Sequence, residues 1–389
     1  MQILVEIFEG RIFLKKLTRK QSIVIGFMLF SMFFGAGNLI FPPMLGMQAG
    51  THTLSAMLGL IVTAVILPIL GVAVVAKHGN LINLGSLVHP KFGYLFTILV
   101  CLIIGPIIAI PRTASTSFEM SVVPFVHMSD RGLLAIRILY SALFFVLAFI
   151  VALKPMRLKD LLGKIMTPIL ITMIILLFIA VVVRIPFIMH LPITTGYSKR
   201  PFLTGFSAGY QTMDGLAGLN FGLIIAVNIE SYGIHDKNAL AKETIKSGVI
   251  AGILLAALYM LLAYMGMQVN PQALSHMKNI TGADILSYIV MLCFGKIGQA
   301  FVAVIFFIAC FNVCCGLLSS VSEYFYALYD KISYKKWLVI FTVSSFFISI
   351  LGLYNILSFS VYILNVLYPV AIGLMVLGFV RKKKDHEKC

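Results

Sequence analysis

Two short segments place glycines and polar side chains inside apolar runs that are long enough to cross a membrane. The first, "FFGAGNLIFPP" at residues 33–43, has two glycines next to Asn38. The second, "GFSAGYQTMDGLAGLNFG" at residues 205–222, has five glycines together with Asp214. Glycine inside a helix costs about 1 kcal/mol relative to alanine and proline about 3 kcal/mol, so we expect both helices to be broken. Irregular backbone persists within a membrane only where it is buried in protein or lines a cavity.

A break in the first segment could hold the carboxylate of a small solute together with a cation. The backbone N–H groups of Gly35, Ala36 and Gly37 would lie at the start of a half-helix, where hydrogen bonds and the helix dipole attract an anion. Close packing of small residues against another helix is the alternative explanation for these glycines. The side chain of Asn38 can cap the half-helix or offer its oxygen to the cation, and these two roles are compatible.

The second segment offers Tyr210, Thr212 and Asp214 for the other side of the same solute. The hydroxyl of Thr212 is the first candidate for contact with the cation or with a substrate ammonium group. An ionisable residue inside a membrane span is by default a functional-site hypothesis. Three roles stay open for Asp214: it pairs with the ammonium group, relays protons, or caps the second half-helix.

An apolar wall and a buried cation complete the candidate site. Phe33, Phe206 and Ala217 are the candidates for the wall, since solute pockets are mostly apolar with few polar groups. Arg112 is costly in lipid, so we expect a gating or structural ion pair with Glu119, seven residues further on, or with Asp214. Direct contact of Arg112 with a substrate carboxylate is the alternative.

The composition indicates that membrane helices must position these residues. The chain has 389 residues, of which 60% are hydrophobic and only 11% charged, and its mean hydropathy is +1.02. Soluble domains carry about 25% charged residues, and about 20 apolar residues span the hydrocarbon core. We therefore predict an all-α polytopic membrane protein. The apolar runs predict ten spans, near residues 22–46, 54–76, 93–118, 133–153, 162–183, 202–228, 245–266, 297–327, 336–353 and 356–380.

The net charge of +16 sets the orientation of these spans and does not indicate nucleic-acid binding. If the amino terminus is cytoplasmic, 22 of the 30 Lys and Arg residues fall in inside segments and seven fall outside. This is the positive-inside bias. We predict a multi-pass protein of the cell membrane with both termini cytoplasmic, an amphipathic lead-in at 1–21 and a basic tail at 381–389. The composition makes no prediction of the oligomeric state.

The two breaks fall five spans apart, in the first and sixth spans. Five spans reverse the direction of the chain, so residues 22–184 and 202–380 would form two inverted repeats. Paired glycine-interrupted spans at matching places in two halves are typical of secondary transporters, with the solute bound at mid-membrane. A ten-span core of this kind would be a complete five-plus-five unit.

The sequence contains no motif that is typical of an enzyme active site. The six cysteines form no CxxC pair, and the eight histidines never pair at helical spacing. A nucleophile elbow and a phosphate-binding loop are also missing from the sequence, so we expect neither enzyme activity nor a cofactor beyond the coupling cation. A membrane receptor that binds an amino acid without moving it is a further hypothesis, which the short loops disfavour.

Four segments resemble the LIVCS family, the BrnQ-type carriers of branched-chain amino acids. They are "GFMLFSMFFGAGNLIFPP" (26–43), "GPIIAIPRTASTSFE" (105–119), "GYQTMDGLAGLNFG" (209–222) and "LYPVAIGL" (367–374). The resemblance implies a LeuT-like inverted-repeat fold and sodium-coupled uptake of leucine, isoleucine and valine. It also implies that the broken first span, including Phe34, contacts the sodium ion together with Asn38 and Thr212.

Two departures from the family pattern bear on these expectations. Members usually carry two more spans after the tenth. They also place a threonine where this chain has Val313, and in LeuT-like proteins hydroxyls near this turn help to hold a sodium ion. Valine has no oxygen to offer, so Asn312 would have to substitute. We therefore expect one sodium ion per substrate, with a proton as the alternative coupling ion.

Overall fold

The computed structural model describes residues 16–126, 128–154, 159–187, 190–274 and 280–381. Throughout these ranges the regular structure is helical and no β-strand occurs. Most of the predicted lead-in, residues 1–15, and most of the basic tail, residues 382–389, lie outside the described residues.

The described residues form seventeen α-helices, and three π-helical turns adjoin them at Val62–Ile66, Ile103–Ile107 and Lys159–Met166. The helices are α1 (Arg19–Phe33), α2 (Ala36–Ala49), α3 (Thr53–Ile61), α4 (Leu67–His78), α5 (Leu81–Gly85), α6 (Pro90–Leu102), α7 (Ala109–Ser121), α8 (Asp130–Ala152), α9 (Thr167–Arg184), α10 (Thr195–Lys199), α11 (Pro201–Tyr210), α12 (Asp214–Glu230), α13 (Lys237–Met267), α14 (Gly282–Phe294), α15 (Lys296–Leu328), α16 (Tyr334–Ser349) and α17 (Leu353–Val380).

Helix length and hydropathy support the predicted all-α membrane protein, with fewer candidate spans than the ten predicted. Among the described residues seven helical stretches are long and apolar enough to cross a membrane, or eight when the bent pair α11–α12 is counted as one span. The helical stretch Ala36–His78 counts as one span because helical turns join α2 to α3. Helix α16 is not counted because it has only 16 residues. The chain is therefore an all-α multi-pass membrane protein, and the number ten stays a prediction.

The first predicted break occurs between α1 and α2. Phe34 and Gly35 leave the helical conformation, and Gly35 adopts φ −125° and ψ −156°. A Cβ atom on Gly35 would lie 2.7 Å from Cγ2 of Val313, so the packing of α15 demands glycine here. Pro42 and Pro43 lie inside α2 and do not end it.

The second predicted break occurs between α11 and α12, whose axes differ in direction by 46°. Gln211 and Thr212 form a turn, and Met213 has the left-handed backbone angle φ 67°. Met213 is the only described non-glycine residue with positive φ, a conformation that costs free energy for a side chain without local hydrogen bonding. The chain direction therefore changes abruptly immediately before Asp214.

Glycines let the broken helices pack closely against two unbroken partners. The pair α1–α2 packs along α13, and the pair α11–α12 packs along α3 and α4. A Cβ atom on Gly46 of α2 would overlap the carbonyl of Ala263 in α13, and one on Gly205 of α11 would overlap the carbonyl of Ala56 in α3. Helix α15 packs against α7 and α12, so both breaks lie in the centre of the bundle.

Candidate functional site

The two helix breaks face each other across one narrow cavity. The breaks contribute Gly35, Ala36, Gly37, Asn38, Thr212 and Asp214 to its lining. Apolar contacts come from Phe33 and Ala217, which were predicted as the wall. The structure therefore brings most of the predicted site residues around one space.

The start of α2 lines this cavity with residues whose backbone N–H groups the helix does not pair. The first turn of a helix leaves its N–H groups without partners inside the helix. The N–H of Gly35 donates to Oδ1 of Asn38 at 3.1 Å, and the N–H of Leu39 donates to the carbonyl of Gly35 at 3.2 Å. Within the described part of the chain the N–H groups of Ala36 and Gly37 have no hydrogen-bond partner, and such groups at a helix start suit a carboxylate.

A buried hydrogen-bond network joins the two breaks to α13. Nδ2 of Asn38 donates to Oδ2 of Asp214 at 2.5 Å, and the hydroxyl of Tyr259 donates to the same oxygen at 3.1 Å. Nδ2 of Asn38 also contacts the hydroxyl of Tyr259. A carboxylate only accepts hydrogen bonds and a backbone N–H only donates them, so Gly35 and Asp214 together determine the orientation of the Asn38 amide. These three side chains are buried from solvent.

Arg112 stabilises the second break from the side of α7. Its Nη1 donates to the carbonyl of Gln211 at 2.9 Å and its Nη2 donates to the carbonyl of Thr212 at 3.2 Å. These carbonyls follow the end of α11, where the partial negative charge of the helix dipole favours a cation. Arg112 also lines the cavity, and its Nη2 would lie 3.1 Å from a Cβ atom on Gly37.

Thr212 holds the turn between the two half-helices. Its hydroxyl donates to the carbonyl of Gly209 at 2.8 Å and accepts from the N–H of Asp214 at 3.4 Å. The first helical residue of α12 is therefore capped by Thr212, whereas the carboxylate of Asp214 reaches into the network with Asn38. The side chain of Asp214 therefore does not cap α12 in this structure.

The predicted ion pair between Arg112 and Glu119 is corrected by the structure. Glu119 pairs with Arg137 of α8 at 3.1 Å, and both side chains are partly exposed. Arg112 bonds to backbone carbonyls, and no ion pair within 4.0 Å joins it to an acid among the described residues. Residues 112 and 119 share a helix, but α7 directs the first toward the breaks and the second toward α8.

Four other predicted residues do not line the cavity. The ring of Tyr210 stacks on Tyr368 of α17 with centroids 4.3 Å apart, and Phe206 packs edge-on against Tyr210 at 5.3 Å. Phe34 packs between Phe30 and Tyr259. The fourth is Asn312, whose Nδ2 donates to Oγ of Ser31 at 2.6 Å while its buried Oδ1 has no hydrogen-bond partner in the described structure.

Several contributors to the site were not identified from the sequence, and two of them, Tyr259 and Val313, contact residues of the first break. Tyr259 lies in the apolar run "LLAALYMLLAY", where its hydroxyl is a polar group in a membrane helix and so a recognisable signal. From the sequence, Val313 was notable only because it offers no oxygen to a sodium ion. In the structure its side chain packs on Gly35 and lines the cavity. No local pattern indicates that contact, since α15 meets α1 only in the folded protein.

Comparisons with known proteins agree with this geometry. A family model described as branched-chain amino acid transport protein matches residues 18–389. The branched-chain amino acid permease BrnQ of Bacillus subtilis is 38% identical over 368 residues, covering 94% of this chain and 82% of the permease. The permease BraB of the same organism is 39% identical over 364 residues, covering 93% and 80%.

A relative from another genus shows the same extent of similarity. A putative branched-chain amino acid carrier protein of Staphylococcus aureus is 37% identical over 379 residues, which cover 93% of this chain and 83% of the carrier. The matches extend over both breaks and over the helices that surround them. The chain therefore belongs to the branched-chain amino acid transport protein family, and it is a transporter and not an enzyme.

Proposed function

We propose that this chain imports leucine, isoleucine and valine across the cell membrane by cation symport, with sodium as the coupling ion. The substrate lies in the cavity between the breaks of the first and sixth spans, and both termini are cytoplasmic. The named relatives supply the substrate class, since they are branched-chain amino acid permeases or carriers. The observation that carries the proposal is that two broken helices meet at one cavity.

The packing of the helices supports an inverted repeat of five plus five spans. If an approximate two-fold axis exchanges spans 1 with 6 and 2 with 7, a contact between spans 1 and 7 must recur between spans 6 and 2. The extensive packing of α1–α2 on α13 and of α11–α12 on α3–α4 has this relation. The close contacts of Gly46 with the carbonyl of Ala263 and of Gly218 with the carbonyl of Pro68 follow the same exchange, since each glycine lies in the second half-helix of its span.

The cavity offers separate places for the two ends of a branched-chain amino acid. The carboxylate takes the N–H groups of Ala36 and Gly37, and the side chain lies against Phe33, Ala217 and Ile104. An apolar wall suits leucine, isoleucine and valine. One missing methylene weakens binding by about 1–3 kcal/mol, so we expect valine to bind more weakly than leucine and isoleucine.

A sodium ion fits beside the carboxylate at Asn38. Its Oδ1 accepts one hydrogen bond from Gly35 and keeps a second lone pair for a cation. The carbonyls at the end of α1, including that of Phe34, are further hard oxygen ligands. Because ion and carboxylate would touch, each tightens the binding of the other by the same factor. Val313 removes a hydroxyl from the second position that the family resemblance suggests, so we expect one sodium per substrate.

Proton coupling is the second candidate, and Asp214 favours it. Its carboxylate is buried at the junction of the breaks and accepts hydrogen bonds from Asn38 and Tyr259. A buried carboxylate of this kind could carry a proton with the substrate. In that mechanism Asp214→Asn would keep leucine–leucine exchange but would lose accumulation driven by a pH gradient.

Leucine uptake into liposomes at a fixed membrane potential tests the proposal. We expect uptake to follow the sodium gradient with a Hill slope near one, and to be absent when choline replaces sodium. Isoleucine and valine should compete with leucine, whereas lysine should not. Uptake driven by a pH gradient in sodium-free buffer would reject sodium coupling in favour of the proton. Failure of all three branched-chain amino acids to be transported would reject the substrate assignment.

A further inference from the structure

A second cavity lies on the membrane-facing side of the bundle, away from the substrate site. It is an apolar groove of about 690 Å³ between α8 and α16. We call it the α8–α16 groove and define it by its lining: Ala142, Phe145, Val146, Phe149, Val339, Thr342, Val343 and Phe346. The spacing is i, i+3, i+4, i+7 on both helices, so each helix contributes one continuous face.

The groove has a defined end where the two helices are joined. The hydroxyl of Tyr334, at the start of α16, donates to the carbonyl of Ala152, at the end of α8, at 2.6 Å. The helices are therefore antiparallel neighbours here. From this end the lining extends along α8 from Phe149 back to Ala142, a length of about 10 Å at 1.5 Å per residue.

Basic side chains are concentrated at this joined end. Lys335 and Lys336 precede Val339 by four and three residues, so they extend the face of α16 that lines the groove. Lys154 follows the end of α8, and all three lysines are exposed. Lys331 lies in the adjoining loop, where Asp330 is the single acid beside it. The distance from Val339 back to Lys335 is about 6 Å along the helix.

An apolar groove in the hydrocarbon region, with basic residues at one end, matches the two parts of a phospholipid. We propose that the α8–α16 groove binds an acyl chain of an anionic phospholipid, whose phosphate contacts Lys335, Lys336 and Lys154. Basic pockets between membrane helices on the cytoplasmic side recognise anionic head groups in this way. The groove's residues are separate from those of the cavity at the breaks, so the inference does not depend on the coupling ion.

A tryptophan moved into the groove provides a local probe of this site. Trp337 is the only tryptophan of the chain, and it packs against Phe325 and Phe341 on the side of α16 opposite the groove. The probe protein therefore combines Trp337→Phe with Phe346→Trp, because residue 346 lines the groove. Brominated phospholipids quench tryptophan fluorescence on contact. In phosphatidylcholine bilayers, we expect brominated phosphatidylglycerol to quench the probe protein more strongly than brominated phosphatidylcholine at the same low mole fraction.

Two kinds of variant test the charge and the groove separately. The double change Lys335→Gln and Lys336→Gln should weaken the phosphatidylglycerol preference about 25-fold, roughly fivefold for each lysine near an anionic group. The change Val343→Phe fills the groove and should reduce quenching by the bound lipid. Each variant has a matched control that should leave quenching unchanged. For the lysines, the control is Lys20→Gln with Lys91→Gln, which removes two other exposed lysines. For the groove, the control is Val249→Phe, which alters a valine of α13 that is 47% exposed, as Val343 is.

Three outcomes would overturn the proposal. Equal quenching by the two brominated lipids in the probe protein with all its lysines would show that the groove has no preference for an anionic lipid. An unchanged preference in the double lysine variant would remove the head-group contact, and this variant changes exposed residues only. Quenching by neither lipid, together with a dimeric mass, would mean that a second copy of the chain covers the groove.

Discussion

Individual residues at the breaks divide into those that face the solute and those that hold the break open. The backbone of Ala36 and Gly37 offers N–H groups to the cavity, whereas the side chains of Arg112 and Thr212 bond to the backbone of the second break. Thr212 was the first sequence-based candidate for ion contact, yet its hydroxyl is used within its own turn. The distinction gives two predictions for single side chains.

Gly37→Leu should abolish leucine uptake while the protein still inserts into the membrane. A Cβ atom alone at this position would lie 3.1 Å from Nη2 of Arg112 and 3.1 Å from Cα of Thr212, so a leucine side chain fills the space between the breaks. Uptake and the amount of membrane-extracted protein are the measurements. Gly373→Leu is the control, because nothing lies within 4 Å of a Cβ atom there and uptake should persist. Full uptake by the Gly37 variant would place the substrate elsewhere.

Tyr259→Phe should raise the sodium concentration needed for half-maximal uptake about tenfold. The ring is kept, but Asp214 loses one of its two side-chain donors, and hydrogen bonds to charged groups contribute about 1.5–3 kcal/mol. Asn38→Ala should shift the same curve in the same direction. Tyr140→Phe serves as the control, because its hydroxyl bonds to Ser117 of α7 and does not line the cavity. An unchanged sodium curve in both variants would leave Asn38 as a helix cap only.

At the scale of helices, α7 connects the site to the outer bundle through two polar contacts, one made by Arg112 and one by Glu119. Arg112 bonds to carbonyls of the second break, and Glu119, two turns later, pairs with Arg137 of α8. Both contacts use a guanidinium, which presents donors in a planar fork that an ammonium group cannot reproduce. The contact of Arg112 joins α7 to the second break, whereas that of Glu119 joins two helices at a partly exposed place.

Arg112→Lys should reduce leucine uptake by at least about tenfold, since one ammonium group cannot bond both carbonyls in the same geometry. Glu119→Gln should leave the half-maximal leucine concentration unchanged and lower only the thermal stability of the purified protein. Uptake kinetics and thermal unfolding in detergent distinguish the two effects. A change in leucine affinity for Glu119→Gln would restore the idea that this carboxylate acts with Arg112 at a gate.

For the molecule as a whole, the even number of ten predicted spans and the basic ends predict that both termini are cytoplasmic. Cys389 lies outside the described residues but offers a direct test of this orientation. The other five cysteines are buried, so they contribute little background and can be replaced. An impermeant thiol reagent should label Cys389 only after the cells are opened. Labelling in intact cells would show that the carboxyl terminus is outside. Either the number of spans would then be odd, or the amino terminus would be outside as well.

Local properties of the sequence were enough to predict the class of protein and the two breaks. Long apolar runs require membrane helices whatever their neighbours are, and clustered glycines at residues 33–43 and 205–222 weaken a helix wherever it packs. The structure shows non-helical residues within both segments. The family resemblance is confirmed by the match of residues 18–389, because its motifs are contiguous stretches of sequence.

Only the tertiary structure decided which side chains meet. Asn38 contacts Asp214 and Tyr259, which lie 176 and 221 residues further along the chain. Glu119 pairs with Arg137 and not with Arg112, although residues 112 and 119 have helical spacing. Such pairings depend on how each helix is rotated and how closely it approaches its neighbours. Backbone contacts at glycines such as Gly46 and Gly205 determine that approach, and they have no signature within any single segment.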